Sequence, residues 1–302
     1  MNNKQRLIAV LGMHRSGTSA ITKGLEALGV HLGSDFYPPR PDNPKGDWED
    51  RSLHNLNEEL LRAHNQRWDD LNLLDPAVVL ELTEGTFFSR AVAFIDERMR
   101  HNTLAGIKDP RLSVLLPFWK RVFFEAGISV AYVVSLRNPL SVAESLIKRN
   151  AIPKAKGLWL WVIHNVCIVS EAAQTVPIVV DYDELLDEPY LQLERLARLL
   201  NLTVEPDLFA AYSSDFLDPA LRHTRFSGND IRADSDCDPI VFKVYNELRT
   251  QALAFSRVDP VRWEQKASEW RRSLGNASGF LDLMPNLRRE MDLEDSRQEL
   301  PG

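Results

Sequence analysis

Four short stretches of the sequence carry chemically active residue types at spacings that chemistry could use. Gly12-Met-His-Arg-Ser-Gly-Thr-Ser19 follows an apolar run and opens a helical pattern. A glycine-rich turn in that position offers backbone N–H groups and a helix N-terminus to an anion. Its spacing nearly matches Gly-x4-Gly-Lys-Ser/Thr, but Thr18 stands where a lysine would meet the β- and γ-phosphates, which argues against ordinary ATP chemistry. Farther on, an apolar run ends at Arg137, and Asn138-Pro139 reads as the cap and first residue of a helix. Ser141 and Ser145 then share one helix face beside an arginine whose fork suits a phosphate. A third run closes on Lys108-Asp-Pro-Arg111, with the lysine at the carboxyl edge where parallel sheets bind ligands. The fourth stretch, Asn43 to Asp50, offers the carboxylates Asp47, Glu49 and Asp50 as proton acceptors. Each feature also has a structural reading: Glu49 or Asp50 capping the next helix, and Lys108 or Arg111 pairing with Asp109.

Strand-like and helical stretches alternate so as to bring these groups to one edge. Continuous apolar runs over Arg6–Leu11, Leu104–Lys108, Ser129–Leu136 and Val176–Asp181 read as strands buried on both faces. Helical patterns cover Thr18–Leu28, Arg51–Ala63, Phe87–His101, Val114–Glu125, Pro139–Arg149 and Lys156–Gln174. Such alternation predicts an α/β fold with a central, mostly parallel sheet between helices and a helical C-terminal part. Pro38, Pro39, Pro41 and Pro44 make Phe36–Asp50 a long loop, of the kind that often carries function. One domain is expected over 1–285, with a charged, frayed tail over 286–302.

The chain has 302 residues, 44 % hydrophobic and 26 % charged, which excludes a largely disordered protein. Its net charge of −7 argues against a nucleic-acid partner or a polybasic anchor. That total hides an asymmetry: nine basic and three acidic residues lie between Thr103 and Lys156, so this segment is +6. It holds Lys108 and Arg137, where a polyanion would be focused. Two cysteines, Cys167 and Cys237, form neither a disulfide framework nor a zinc site, and no cluster has metal-ligand spacing. The longest apolar stretch, Leu158–Val169, is broken by His164 and Asn165 and falls short of the ~20 residues of a membrane span. It reads as a buried helix with Trp159 and Trp161 in the core or a pocket. With no signal peptide evident, a cytoplasmic protein is expected.

Arg15-Ser-Gly-Thr-Ser19 after a first strand resembles the 5′-phosphosulfate loop of sulfotransferases, which use 3′-phosphoadenosine 5′-phosphosulfate (PAPS). Arg137-Asn-Pro, with Ser145 eight residues beyond the arginine, is similar to their 3′-phosphate site. Asn43-Pro-Lys-Gly-Asp-Trp-Glu49 resembles a stretch of the bacterial members, and Lys108-Asp-Pro one of the tyrosylprotein sulfotransferases. The likeness runs over about residues 6–225. It implies a three-layer P-loop-like fold in which His14, Arg15, Ser16, Gly17, Thr18, Ser19, Arg137 and Ser145 bind PAPS. Arg222, with His223 and Arg225 in a basic segment near the C-terminus, is expected to reach the 3′-phosphate. Glu49 is the implied base and Lys108 the cation at the bridging oxygen, with Asp47, Asp50, His14 and His31 as alternative bases and no metal required. The implied acceptor is a hydroxyl on a carbohydrate or glycolipid. Alternatives are a tyrosine or small alcohol, a kinase or NTPase on the same fold, and an inert nucleotide-binding scaffold.

Overall fold

The computed structural model describes residues 5–40, 43–256 and 259–275. In chain order the main elements are β1 (Arg6–Leu11), α1 (Thr18–Glu26), α2 (Arg51–Ala63), α3 (Pro76–Glu84), α4 (Thr86–Met99), β2 (Leu104–Lys108) and α5 (Leu116–Glu125). There follow β3 (Ser129–Leu136), α6 (Pro139–Asn150), α7 (Lys154–Ala172), β4 (Ile178–Asp181), α8 (Tyr182–Asp187) and α9 (Pro189–Leu200). The C-terminal part is helical as expected: α10 (Pro206–Ala211), α11 (Gly228–Ala233), α12 (Pro239–Leu253) and a helix over 260–275. The tail expected over 286–302 lies outside the described residues.

All four strands are parallel and stand in the order β2-β1-β3-β4. Because successive side chains of a strand point to opposite faces, β1 feeds two cores. Leu7, Ala9 and Leu11 pack with α2 to α7, whereas Ile8 and Val10 pack with α1 and α9. Helices therefore cover both faces, which is why each strand reads as an unbroken apolar run. The chain leaves β1 for β2 on one side and returns to β3 on the other. That reversal opens a crevice at the carboxyl ends of β1 and β3, and both phosphate-type motifs leave the sheet there.

The structure departs from the sequence reading in several places. Asp75 caps a helix, α3, that the periodicity does not signal. Pro110 starts a tight 3-10 turn to Ser113, so the next helix begins at Leu116 and not at Val114. β4 begins only after Pro177, which has no N–H to give the ladder. Trp161 is wholly buried and donates from its indole to the Arg137 carbonyl at 3.1 Å, so it supports a site residue from the core. Among the described residues no helix is long and apolar enough to cross a membrane.

Candidate active site

The loop after β1 turns several carbonyls inward, while the Gly12 amide is spent on Ser113 Oγ at 3.0 Å. The Ser16 carbonyl accepts from Ser135 Oγ at 2.7 Å, that of Arg15 from Arg137 Nη1 at 3.1 Å, and that of Met13 from the Ser16 amide at 3.2 Å. No side chain caps the N-terminus of α1, so its first amides remain available to an anion. Two glycines permit this packing. Gly12 (φ +142°) lies so close to β3 that a Cβ would come within 2.8 Å of the Ser135 carbonyl oxygen. Gly17 (φ +87°) lies under the Tyr182 ring, which a Cβ would meet at 2.2 Å.

Two motifs far apart in the chain meet at this loop. Arg15, itself in a left-handed conformation (φ 67°), donates from Nε to Ser145 Oγ at 2.8 Å. The Arg137 guanidinium lies over the Tyr182 ring, 5.0 Å from its centroid. Asn138 caps α6 through the Leu140 amide and donates to the carbonyls of Phe226 and Ser227 at 3.0 and 3.3 Å. The basic segment expected to close the site thus runs along it. Its charges point elsewhere, however: Arg222 is bonded to Asp187 at 2.7 Å, and Arg225 to the same carboxylate at 2.7 Å. Only Leu221 and His223 of that stretch line the cavity, because the acids of α8 hold both arginines.

Opposite lies the second half of the site. Residues 36–40 and 43–50 run along the cavity without helix or strand, pinned by Trp48 in a left-handed conformation (φ 57°) against Phe36 and Phe216. Such backbone in a bulky residue costs of order 1–3 kcal/mol and persists only when packing over-determines it. The three carboxylates of this stretch take different roles. Asp47 is held by Arg40 and Asn43 (2.6 Å from the latter's amide), while its backbone carbonyl accepts from both Ser19 Oγ (2.9 Å) and Lys108 Nζ (2.7 Å). Asp50 caps α2 at the Ser52 and Leu53 amides and is paired with buried Arg98, so it is structural.

Asp47 and Glu49 both line the cavity, and Glu49 is the one that meets Lys108 with its carboxylate. Its Oε1 accepts from Lys108 Nζ at 2.7 Å, and its Oε2 lies 3.0 Å from His54 Nδ1 and 3.7 Å from Arg111 Nη1. Burial would raise its pKa, but Lys108, the hydrogen bond with His54 and the Arg111 charge outweigh that and hold it well below the usual carboxylate range. Arg111 is braced in turn by Asp109 (3.1 Å) and Glu58. Burial pushes the Asp109 carboxyl up, against the pull of Arg111.

These halves share one cavity of about 1010 Å³. It is lined by His14, Arg15, Gly17, Thr18, Ser19, Glu49, Lys108 and Arg137, all expected at the site. His14 is buried against Trp68 (4.4 Å between centroids), and burial followed by Arg111 keeps its ring neutral. His31 is not there: it bridges the edge of β2 through the Leu104 carbonyl and the Gly106 amide. Sequence reasoning missed His54, Trp68, Tyr182 and Arg149. Only two of these carry a signal in the sequence: Arg149 lies one helical turn after Ser145, and Tyr182 directly follows a strand end. Ser16 Oγ, Ser141 Oγ and Arg137 Nε are buried without a hydrogen-bond partner among the described residues, and Arg137 lines the cavity. Glu49, His54 and Asp109 bring ligand-type atoms within 4.8 Å of one another, but Lys108 and Arg111 already bond those carboxylates. A metal cation would meet two positive charges there, and we assign none.

A strand-end loop with the open α1 amides at its end thus faces a buried carboxylate–lysine pair across one cavity of the α/β scaffold. No family model and no curated protein matches the chain. Two solved structures are similar to it along most of their lengths. The sulfotransferase domain from the Synechococcus PCC 7002 olefin synthase is 15 % identical, with 89 % of this chain and 96 % of that one covered and a TM-score of 0.42. The sulfotransferase domain from the curacin biosynthetic pathway is 17 % identical, with 87 % and 98 % covered and the same score. Likeness at this level assigns no activity.

Proposed function

We propose that the protein is a sulfotransferase that moves the sulfuryl group of PAPS to an acceptor hydroxyl. The observation that carries this reading is the hydrogen bond between Arg15 and Ser145, which unites the two phosphate-type motifs beside Arg137. A bisphosphorylated nucleotide needs two such sites, and the loop lacks the lysine of an NTPase. The buried Ser16, Ser141 and Arg137 atoms fit the donor's phosphates, as do the uncapped α1 amides. When bound, PAPS supplies the sulfuryl group and a phosphate leaving group.

Transfer of this kind depends on holding the reactants in line and on stabilising negative charge. Lys108 would neutralise charge growing at the bridging oxygen, with Arg111 behind it. Glu49, bonded to both Lys108 and His54, supplies the negative charge that favours removal of the acceptor proton. The acceptor we favour is a carbohydrate or glycolipid hydroxyl, since half-exposed Trp68 and Tyr37 line the cavity with flat apolar faces suited to a sugar ring. Calorimetry with adenosine 3′,5′-bisphosphate against ATP–magnesium tests the donor. Preference for the bisphosphate is expected; preference for ATP–magnesium would favour a kinase or NTPase. Mass spectrometry of a panel of glycosides, phenols and alcohols after incubation with PAPS tests the acceptor.

A further inference from the structure

Both oxygens of Glu49 are engaged: Oε1 by Lys108 at 2.7 Å, Oε2 by His54 at 3.0 Å with Arg111 at 3.7 Å. A carboxylate so surrounded stays ionised, and an ionised oxygen can only accept, so His54 Nδ1 carries the hydrogen of their bond. In the tautomer this bond selects, the lone pair is on Nε2, which has no protein partner among the described residues. The ring lines the cavity and is 24 % exposed, and Tyr37 meets it edge-on at 5.1 Å. Its charged neighbours are Glu49, Asp109 and Arg111, while Glu58, one turn farther along α2, is taken by Arg111.

We propose that Glu49 and His54 form a dyad in which Glu49 orients the ring and His54 Nε2 is the base for the acceptor hydroxyl. This rests on the sulfuryl-transfer reading above. The acceptor O–H bond breaks and its proton goes to Nε2, while the acceptor oxygen forms the new O–S bond. The S–O bond to the 5′-phosphate breaks, and its electron pair leaves on the phosphate oxygen. The imidazolium faces Glu49, which stabilises it until the proton passes to water, the role a buried carboxylate plays beside a histidine. Glu49 thereby becomes a positioning residue. A carboxylate held this acidic is a weak proton acceptor, and an imidazole is a better one near neutral pH.

Nitrogen-15 NMR of the full chain with labelled histidine, the His54 signal assigned by its loss in His54→Ala, reads the tautomer directly. The hydrogen is expected on Nδ1 in the wild type, with that preference weakened in Glu49→Gln; a hydrogen on Nε2 in the wild type overturns the dyad. The kinetic arm follows transfer from PAPS to phenol and to methyl β-glucoside. His54→Ala is expected to lose about 10²–10⁴-fold in turnover, keep its affinity for adenosine 3′,5′-bisphosphate, and regain activity in added imidazole. Retained activity, or a loss that imidazole does not relieve, overturns the base assignment. A wild type that neither binds the bisphosphate nor sulfates either acceptor sinks the sulfotransferase reading instead, and the tautomer still judges the dyad.

Discussion

The two halves of the cavity are built on opposite principles. Around the loop after β1, polar groups are held in place with their bonding capacity unspent: open amides on α1, and buried Ser16, Ser141 and Arg137 atoms without partners. Across the cavity, Glu49, Lys108, Arg111, Asp109 and Glu58 pair with one another, and of these five side chains only Asp109 keeps a buried oxygen, Oδ2, without a partner among the described residues. The first half is a receptor awaiting charge from outside. The second is a cluster of paired charges that gain their effect when the reaction redistributes charge beside them. A preorganised dipole or ion needs no rearrangement at that moment, which is why such clusters can stabilise a transition state more than a ground state.

If the halves divide the work this way, damage to them should read out differently. The largest effect is expected from Lys108→Ala: turnover should fall about 10²–10³-fold while affinity for adenosine 3′,5′-bisphosphate changes little. An equal loss in both, measured by steady-state kinetics and calorimetry, would merge the halves. Arg137→Ala should do the reverse, weakening bisphosphate binding by roughly 10–100-fold through lost charged hydrogen bonds. Gly17→Ala, which forces a Cβ into Tyr182 at a positive φ, should cost binding about tenfold and lower the melting temperature. Pairing it with Tyr182→Ala should restore part of the melting temperature, because only the steric share of the penalty is relieved.

The smallest effect concerns acidity. The folded-state pKa of Glu49 lies below its unfolded one, so its contribution to stability is present above about pH 4.5 and is lost as pH falls toward the folded value. Glu49→Gln should therefore be less stable than the wild type at pH 7. By pH 3.5 the gap should narrow by roughly 1 kcal/mol, read from urea unfolding at both values. A gap that stays constant would mean that Lys108 does not hold the carboxylate ionised.

How far the sequence reveals this site follows from how local each contact is. The strands, the Gly12–Ser19 loop and the Arg137-to-Ser145 spacing were all legible, because each is a run of neighbours with a fixed geometric repeat. Among the three carboxylates of the Asn43–Asp50 stretch, only the family resemblance favoured Glu49 over Asp47 and Asp50. Their roles depend on Arg98, Arg40 and Lys108, which reach them from elsewhere in the chain. Arg222 looked like a phosphate ligand for the same reason: composition marks a basic segment but not the acids of α8 that hold it. His54 was unreadable, since a histidine on a helix gains meaning only from the oxygen 3.0 Å from its Nδ1.

The sequence by itself determined an α/β scaffold with anion-binding turns at its strand ends. Apolar periodicity, glycines with positive φ and helix caps act over a few residues, so the chain records them directly. Tertiary structure alone decided which charges cancel and which stay free to act. Coulomb interactions and burial depend on distance through space, and only folding brings Glu49 to Lys108, or Arg15 to Ser145, across stretches of chain that carry no mark of the pairing.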